Sequence, residues 1–310
     1  DLCSVPRLSA HTMNVCIASG KEATVPEHKM TDAAERAVPA GAVASLREVG
    51  ALFVTEDGAA ARTEVVAVES RIDVVLDGAY WASFAASPQD LEDFAYGLLL
   101  SHGLISHASE VTSVDVREVE GVLVLDVRRA GLQDARAAVA APCAYRAACP
   151  HAASEAVFPG FEQLACQGEA AGDSAPKLPP HAIFNVSRSL LSQQGMHRAT
   201  GATHAAVFAD REGVVVLMRE DVGRHNAVDK LIGVLAREGV DASEGFVYLS
   251  SRCALELVAK CARAGVRVVA AVSAPTSAVI DFAEAAGITL CAFAREGRFT
   301  VYTHPERLEV

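Results

Sequence analysis

The sequence predicts an α/β protein, with a mixed, mainly parallel sheet in the C-terminal half and a smaller α+β unit before it. Three observations predict this. From residue 204 onward, short apolar runs of strand length alternate closely with stretches of helical period, which implies parallel strands joined by right-handed crossovers. Between about 64 and 127 the apolar residues instead alternate in paired runs around one helical stretch. The 310 residues are 51% apolar and 21% charged, enough for a substantial core, and aromatics are few while Ala and Val abound.

Residues 1–45 show no steady apolar period and read as a tail or adaptable arm. Residues 46–140 form the smaller α+β unit. Glu64–Glu69 and Ile72–Asp77 look like paired strands, with Asp77-Gly78 in the turn region. Ser87-Pro88-Gln89-Asp90 opens a helix, with Ser87 as N-cap and Pro at the first position. That helix carries Leu91, Phe94, Ala95 and Leu98 towards Gly103, and strands Val111–Val116 and Val122–Val127 follow. Residues 141–178 are an irregular, cysteine-bearing loop. The domain over 179–310 begins with a helix from about Pro180 to Gln194. A hairpin follows, His204–Phe208 with Val214–Met218, and then a helix from Asn226 stopped by Gly239. Phe246–Leu249, Val266–Val272 and Ile288–Phe293 read as buried strands. The helices between them end at Gly265 and Gly287.

The formal net charge of −12 argues against non-specific nucleic-acid binding, which needs a basic surface. It leaves room for a phosphate-bearing small ligand, because local arginines override global charge. No run is apolar and long enough to span a bilayer, and the N-terminal residues have no signal-peptide core. Eight cysteines without such a signal point to reduced thiols in the cytoplasm. Cys253, Cys261 and Cys291 lie in apolar patterns and read as small core residues.

The densest cluster of functional side chains is Arg219–Lys230, where eight of twelve residues are charged or hydrogen-bonding. It includes Arg219, Asp221, Arg224, His225 and Asn226, and it lies where a strand feeds a helix. Ser250-Ser251-Arg252 and Ser273–Ser277, with Ser273, Thr276 and Ser277 as its hydroxyls, stand at equivalent junctions. In an open α/β sheet, ligands bind beyond the carboxyl ends of the strands, where helix N-termini offer N–H groups to an anion. Arginine grips phosphate there bidentately. Phe293-Ala294-Arg295-Glu296-Gly297-Arg298, after the last buried strand, is a fourth candidate. Taken singly, each loop reads equally well as helix-capping hydroxyls and surface arginines. Together they favour a phosphate or nucleotide site, with no metal site beside it.

Arg219–Lys230, Ser250–Arg252, Ser273–Ser277, Thr200–His204, Tyr302-Thr303 and Ser87–Ala95 also resemble the formate dehydrogenase accessory sulfurtransferases of the FdhD/NarQ family, over roughly residues 60–307. The resemblance implies a cytoplasmic homodimer whose C-terminal domain has a cytidine-deaminase-like mixed sheet with helices on both faces. It implies a sulfurtransferase that takes persulfide sulfur from a cysteine desulfurase. The sulfur goes to the molybdenum or tungsten bis-molybdopterin guanine dinucleotide cofactor, bound as substrate, for the catalytic subunit of formate dehydrogenase. GDP-like nucleotides would fit the same site. The implied cofactor contacts are Phe293–Arg298 and the loops above, with His204 beside them.

In that family the first motif cysteine carries the persulfide, which the resemblance assigns to Cys143, with Cys149 as the weaker candidate. Arg146 and His151 nearby suit a lowered thiol pKa. The family pattern has two residues between the cysteines and a glycine after each. Here five residues intervene, and neither cysteine has a neighbouring glycine. Three other readings stay open at this point. Cys143, Cys149 and His151 form a possible zinc set, although the spacing is unlike Cys-x-x-Cys hooks. A zinc deaminase is a second, but the His-x-Glu element, His304-Pro305-Glu306, follows the cysteines in the wrong order. The third is a non-catalytic, cofactor-binding chaperone of formate dehydrogenase.

Overall fold

The computed structural model describes residues 36–37, 44–130, 177–295 and 297–310. The N-terminal part holds strands β1 (Arg36–Ala37), β2 (Leu46–Thr55), β3 (Gly58–Ala67), β4 (Ser70–Leu76) and β5 (Ala79–Ala86). Helix α1 (Leu91–Ser101) and strands β6 (Val111–Val119) and β7 (Val122–Arg129) follow. Five of these strands make one sheet in the order β1-β6-β7-β4-β5, while β2 and β3 form a separate two-stranded ribbon. The expected pairing of 64–69 with 72–77 is therefore corrected. Residues 64–67 belong to β3 and pair with β2, because β4 already has β5 on one side and β7 on the other. Asp77-Gly78 turns β4 into β5. Within the expected tail, Arg36–Ala37 pair along β6 as an edge strand.

The second half contains α2 (Pro180–Gln193), α3 (Gly195–Thr200), β8 (His204–Asp210), β9 (Val215–Asp221) and α4 (Arg224–Glu238). It continues with β10 (Gly245–Leu249), α5 (Leu255–Arg263), β11 (Val268–Ala271), α6 (Ser277–Ala285), β12 (Thr289–Arg295) and β13 (Arg298–Thr303). Its six strands lie in the order β13-β12-β11-β10-β8-β9. β10, β11 and β12 are parallel, as the strand–helix alternation predicts. β8, β9 and β13 are antiparallel to their neighbours. The strand β13 goes beyond the sequence expectation: the chain reverses at Gly297, φ 79°, and pairs Arg298 with Arg295.

The period-two alternation of the strands divides the core into two layers. Ala206, Phe208, Val247, Leu249, Val269 and Leu290 face α4, α5 and α6. Their neighbours Val207, Phe246, Tyr248, Val268 and Cys291 face Ile183, Val186 and Leu190 of α2. Helices thus cover both faces of the sheet. A third cluster packs Phe94, Leu98 and Leu99 of α1 onto Ile72, Val74, Leu123 and Leu125.

The two halves meet where α1 crosses α4. A Cβ on Gly97 would lie 1.7 Å from the Asp229 carbonyl oxygen, and one on Gly233 1.8 Å from that of Asp93. Only hydrogen at both positions permits that approach. The helix start predicted at Ser87 is displaced for a related reason. α1 is capped at Asp90, φ 53°, while Ser87 is buried and engaged by Asp221 at the end of β9 and by Val222 after it.

Candidate functional site

The charged residues of Arg219–Lys230 divide into two groups. The first group ties elements together. Arg219 places Nε 2.8 Å and Nη2 2.7 Å from Asp93 Oδ2 on α1. Glu220 is buried and accepts from Met196 N, His197 N and Thr203 Oγ1 at 2.9–3.1 Å, which fixes the start of α3. Asp221 has no exposed surface. Its Oδ1 accepts from Gly223 N and Asn226 Nδ2, and its Oδ2 from Ser87 N and Lys230 Nζ. Asn226 also donates to Ala85 O at 2.8 Å, and Lys230 to Ser87 O at 2.9 Å. One turn further on, Asp229 accepts from Ser101 Oγ at 2.6 Å and pairs with the buried Lys260.

Arg219, Asp221 and Asn226, expected as ligand contacts, each make hydrogen bonds within the fold. A carboxylate with about four acceptor sites has none left after four donors, and Arg219 is turned onto the acids of α1. The sequence reading missed Ser87, Glu220, Asp229, Lys230 and Lys260 as parts of this joint. A signal was present: Asn226, Asp229, Lys230 and Gly233 fall at i, i+3, i+4 and i+7, a polar and small stripe along one side of an otherwise apolar helix.

The second group is Arg224 and His225, in the first turn of α4. Arg224 Nε is buried without a hydrogen-bond partner. Burial, the Lys260 ammonium and the Arg224 guanidinium push the His225 imidazole down to about 3. His204, at the start of β8, is also lowered, first by burial and then by Arg224, His197 and Arg252. These mutual influences place His204, Arg224, His225 and Arg252 in one electropositive neighbourhood. The carboxylates that act on it, Asp221 and Asp229, are each already neutralised by a lysine.

The register brings the predicted loops to one edge. His204 pairs with Asp221, while Leu249 and Ala271 end β10 and β11, and β12 runs on past Cys291, the partner of Ala270, to Phe293. Ser250 Oγ accepts from Ala205 N at 2.8 Å, and Ser251 Oγ donates to Arg252 O at 3.1 Å, so both hydroxyls help to shape the turn. Ser273 O accepts from Phe293 N at 3.4 Å, joining the third and fourth loops. Three helices start here, α4, α5 and α6, with N-cap residues Gly223, Ala254 and Thr276. None has a side-chain cap hydrogen bond. The Thr276 and Ser277 side chains are exposed and do not act as caps. Three uncapped helix starts on one edge present N–H groups and positive dipole ends to an anion.

At the far end of this edge, Phe293 is exposed with φ 51°, a left-handed conformation that is costly for a bulky side chain. A register shift between Ala292 and Arg295 accompanies it. Ala294 is buried, with its carbonyl held by Tyr248 Oη at 2.7 Å. Arg295, Gly297 and Arg298 are exposed, and Glu296 lies outside the described residues. A cavity of about 260 Å³ is lined by Phe293, Arg298, Phe299 and Thr300. A larger one, about 370 Å³, is lined by Glu92, Tyr96, Arg237 and their neighbours and includes none of the predicted site residues.

Cys143 and Cys149 lie outside the described residues. Cys253, Cys261 and Cys291 are buried free thiols, each pushed up to about 12 chiefly by burial. They are poor thiolate donors, in line with their expected role as core residues.

The sequence pattern of the FdhD/NarQ family matches residues 67–309. The sulfur carrier protein FdhD of Bordetella petrii is 37% identical over 290 residues, covering 92% of this chain and 97% of that protein. The sulfur carrier protein FdhD of Xanthomonas euvesicatoria pv. vesicatoria is 38% identical over 259 residues, covering 80% and 86% respectively. A crystal structure from Desulfotalea psychrophila, assigned as a formate dehydrogenase accessory protein, matches with a TM-score of 0.67 at 24% identity. The match covers 86% of this chain and all of that one, and shows a shared fold. Among the described residues no helix is long and apolar enough to cross a membrane.

Proposed function

This chain belongs to the FdhD/NarQ family, and on that premise we propose that it is a sulfur carrier serving formate dehydrogenase maturation in the cytoplasm. In this reading Cys143 is the carrier. Its thiolate attacks the outer sulfur of a cysteine desulfurase persulfide, a new S–S bond forms, and the desulfurase cysteine leaves as a thiolate. The sulfur is then handed to the bis-molybdopterin guanine dinucleotide form of the molybdenum or tungsten cofactor, which is substrate and cargo, before that cofactor enters the dehydrogenase.

The observation that carries the reading is the strand edge with three uncapped helix N-termini, flanked by Arg224 and Arg252 at one end and Arg295 and Arg298 at the other. A guanine dinucleotide needs both a seat for pyrophosphate and a flat apolar contact for its base. Helix starts and arginines suit the first. Phe293, held exposed beside Arg298, suits the second.

The test is mass spectrometry after incubation with a cysteine desulfurase and cysteine. One added sulfur on Cys143, lost in Cys143→Ala while GDP still binds, is the expected result. GDP binding with no sulfur on any cysteine would leave a cofactor-binding chaperone instead.

A further inference from the structure

His204 stands between two of the loops that carry the edge's arginines. β8 runs antiparallel to β10, so its first residue lies at the carboxyl end of the parallel strands. On one side His204 pairs with Asp221, two residues before the Gly223 cap of α4. On the other, Ala205 N donates to Ser250 Oγ at 2.8 Å and Ser250 N to Ala205 O at 3.0 Å, which holds the turn of Ser250–Arg252 beside it. By strand alternation His204 shares the sheet face of Ala206 and Phe208, the face that α4 covers. The first turn of α4 brings Arg224 to that same side.

The charges around this imidazole are unbalanced. It is faced by Arg224 and His225 on α4, His197 on α3, Arg252 after β10 and Asp221 on β9. Asp221 is the one carboxylate among them, and its oxygens are already taken by four donors. His197 is tied off, with Nδ1 donating to Thr203 O at 2.8 Å. Among the described residues Arg224 and Arg252 make no ion pair, and the His204 ring makes no hydrogen bond. Burial first, and then Arg224, His197 and Arg252, hold His204 below its ordinary value of 6.5 and keep it neutral in the empty site at neutral pH. A pyrophosphate between Arg224 and Arg252 reverses that field. Its two charges offset both guanidiniums, and its oxygens accept from a protonated ring.

On the guanine-dinucleotide reading of this edge, we propose that His204 is a proton-carrying donor of the anion seat, so that binding of the pyrophosphate and uptake of one solvent proton by the His204 ring are a single coupled event. The filled site then holds three cations where the empty one holds two. His225, buried against the Lys260 ammonium, stays neutral. The coupling acts between the lowered value of the empty site and the raised value of the filled one. Affinity rises as pH falls through that window, by at most about tenfold per pH unit, and is flat on either side of it.

The test uses the full chain and diguanosine pyrophosphate, whose phosphates carry no titrating proton near neutral pH. Calorimetric titration near pH 6.5, in two buffers of different ionisation enthalpy, counts the protons; about half a proton or more per ligand is expected. His204→Gln should still bind the dinucleotide, more weakly, with no proton uptake and an affinity that no longer changes with pH. In the unmodified protein, the His204 ring followed by NMR should titrate at higher pH with the dinucleotide than without it. Binding without proton uptake, uptake that survives His204→Gln, or an unmoved His204 titration would each overturn the proposal and leave the nucleotide reading standing. A dinucleotide that binds at no pH would overturn that reading, and the proposal with it.

Discussion

Lys230→Met removes the ammonium beside Asp221 and keeps most of the side chain's apolar volume. Both partners have no exposed surface, and the Nζ–Oδ2 distance is 2.6 Å. The carboxylate would keep Ser87 N, Gly223 N and Asn226 Nδ2 as donors but lose its counter-charge in a site with no exposed surface. Breaking a buried pair from one side costs about 3–5 kcal/mol, because the remaining charge is left uncompensated. Set against a total stability of roughly 5–15 kcal/mol, that is a large fraction. The melting temperature should fall by roughly 6–20 °C at about 2–4 °C per kcal/mol. Adding Asp221→Asn should recover part of the loss, since the double variant leaves no unpaired charge at this pair. Thermal and urea denaturation followed by circular dichroism measure both effects. GDP affinity of the folded fraction should stay within about twofold, because Lys230 sits in the joint. A variant that keeps its stability to within about 1 kcal/mol but no longer binds GDP would refute this assignment and restore the segment as a ligand wall.

Three further outcomes follow from the same geometry. Gly97→Ala forces a methyl group against the Asp229 carbonyl, so α1 and α4 must separate; a loss of about 2 kcal/mol or more is expected by urea denaturation, and a neutral substitution would contradict the close crossing. Phe293→Gly removes a bulky side chain from φ 51° and should raise stability by about 1 kcal/mol while weakening GDP binding several-fold in calorimetry; a loss of stability would mean that Phe293 is packed rather than strained. His225 and His102 are held down to about 3 and about 4, in each case by burial first and the Lys260 charge next. Below the ordinary value of 6.5 the unfolded chain binds protons that the native chain refuses. Each histidine therefore takes away up to about 1.4 kcal/mol per pH unit as pH falls from 6.5 towards its folded value, and contributes no pH dependence above 6.5. Denaturation at pH 7.5 and 5.0 should show this slope, and His225→Gln should flatten it; an unchanged slope would place His225 outside the buried network.

The elements of the C-terminal sheet were legible in the sequence because their periods are strong and glycines mark their ends. Gly239 and Gly287 stop helices where expected, with φ 66° at both. The convergence of the loops on one strand edge was legible as well, since it follows from strand–helix alternation alone. Pairing partners were less so. A run such as Glu64–Ala67 states that it is a strand but not which edge is free to receive it, and β4 had no free edge. The Cys143 and Cys149 assignment rests on residues outside those described.

Sequence alone therefore determined the layered α/β architecture, the inert character of Cys253, Cys261 and Cys291, and the convergence of the strand-to-helix loops on one edge, all of which depend on local pattern and composition. Only the tertiary structure decided what each charge in Arg219–Lys230 does. Charge density looks the same in a ligand wall and in a buried joint. The difference lies in which distant groups arrive: Ser87, Asp93, Met196 and Lys260 come from other elements and take up Asp221, Arg219, Glu220 and Asp229. What they leave is Arg224 and His225, facing the edge where three helices begin.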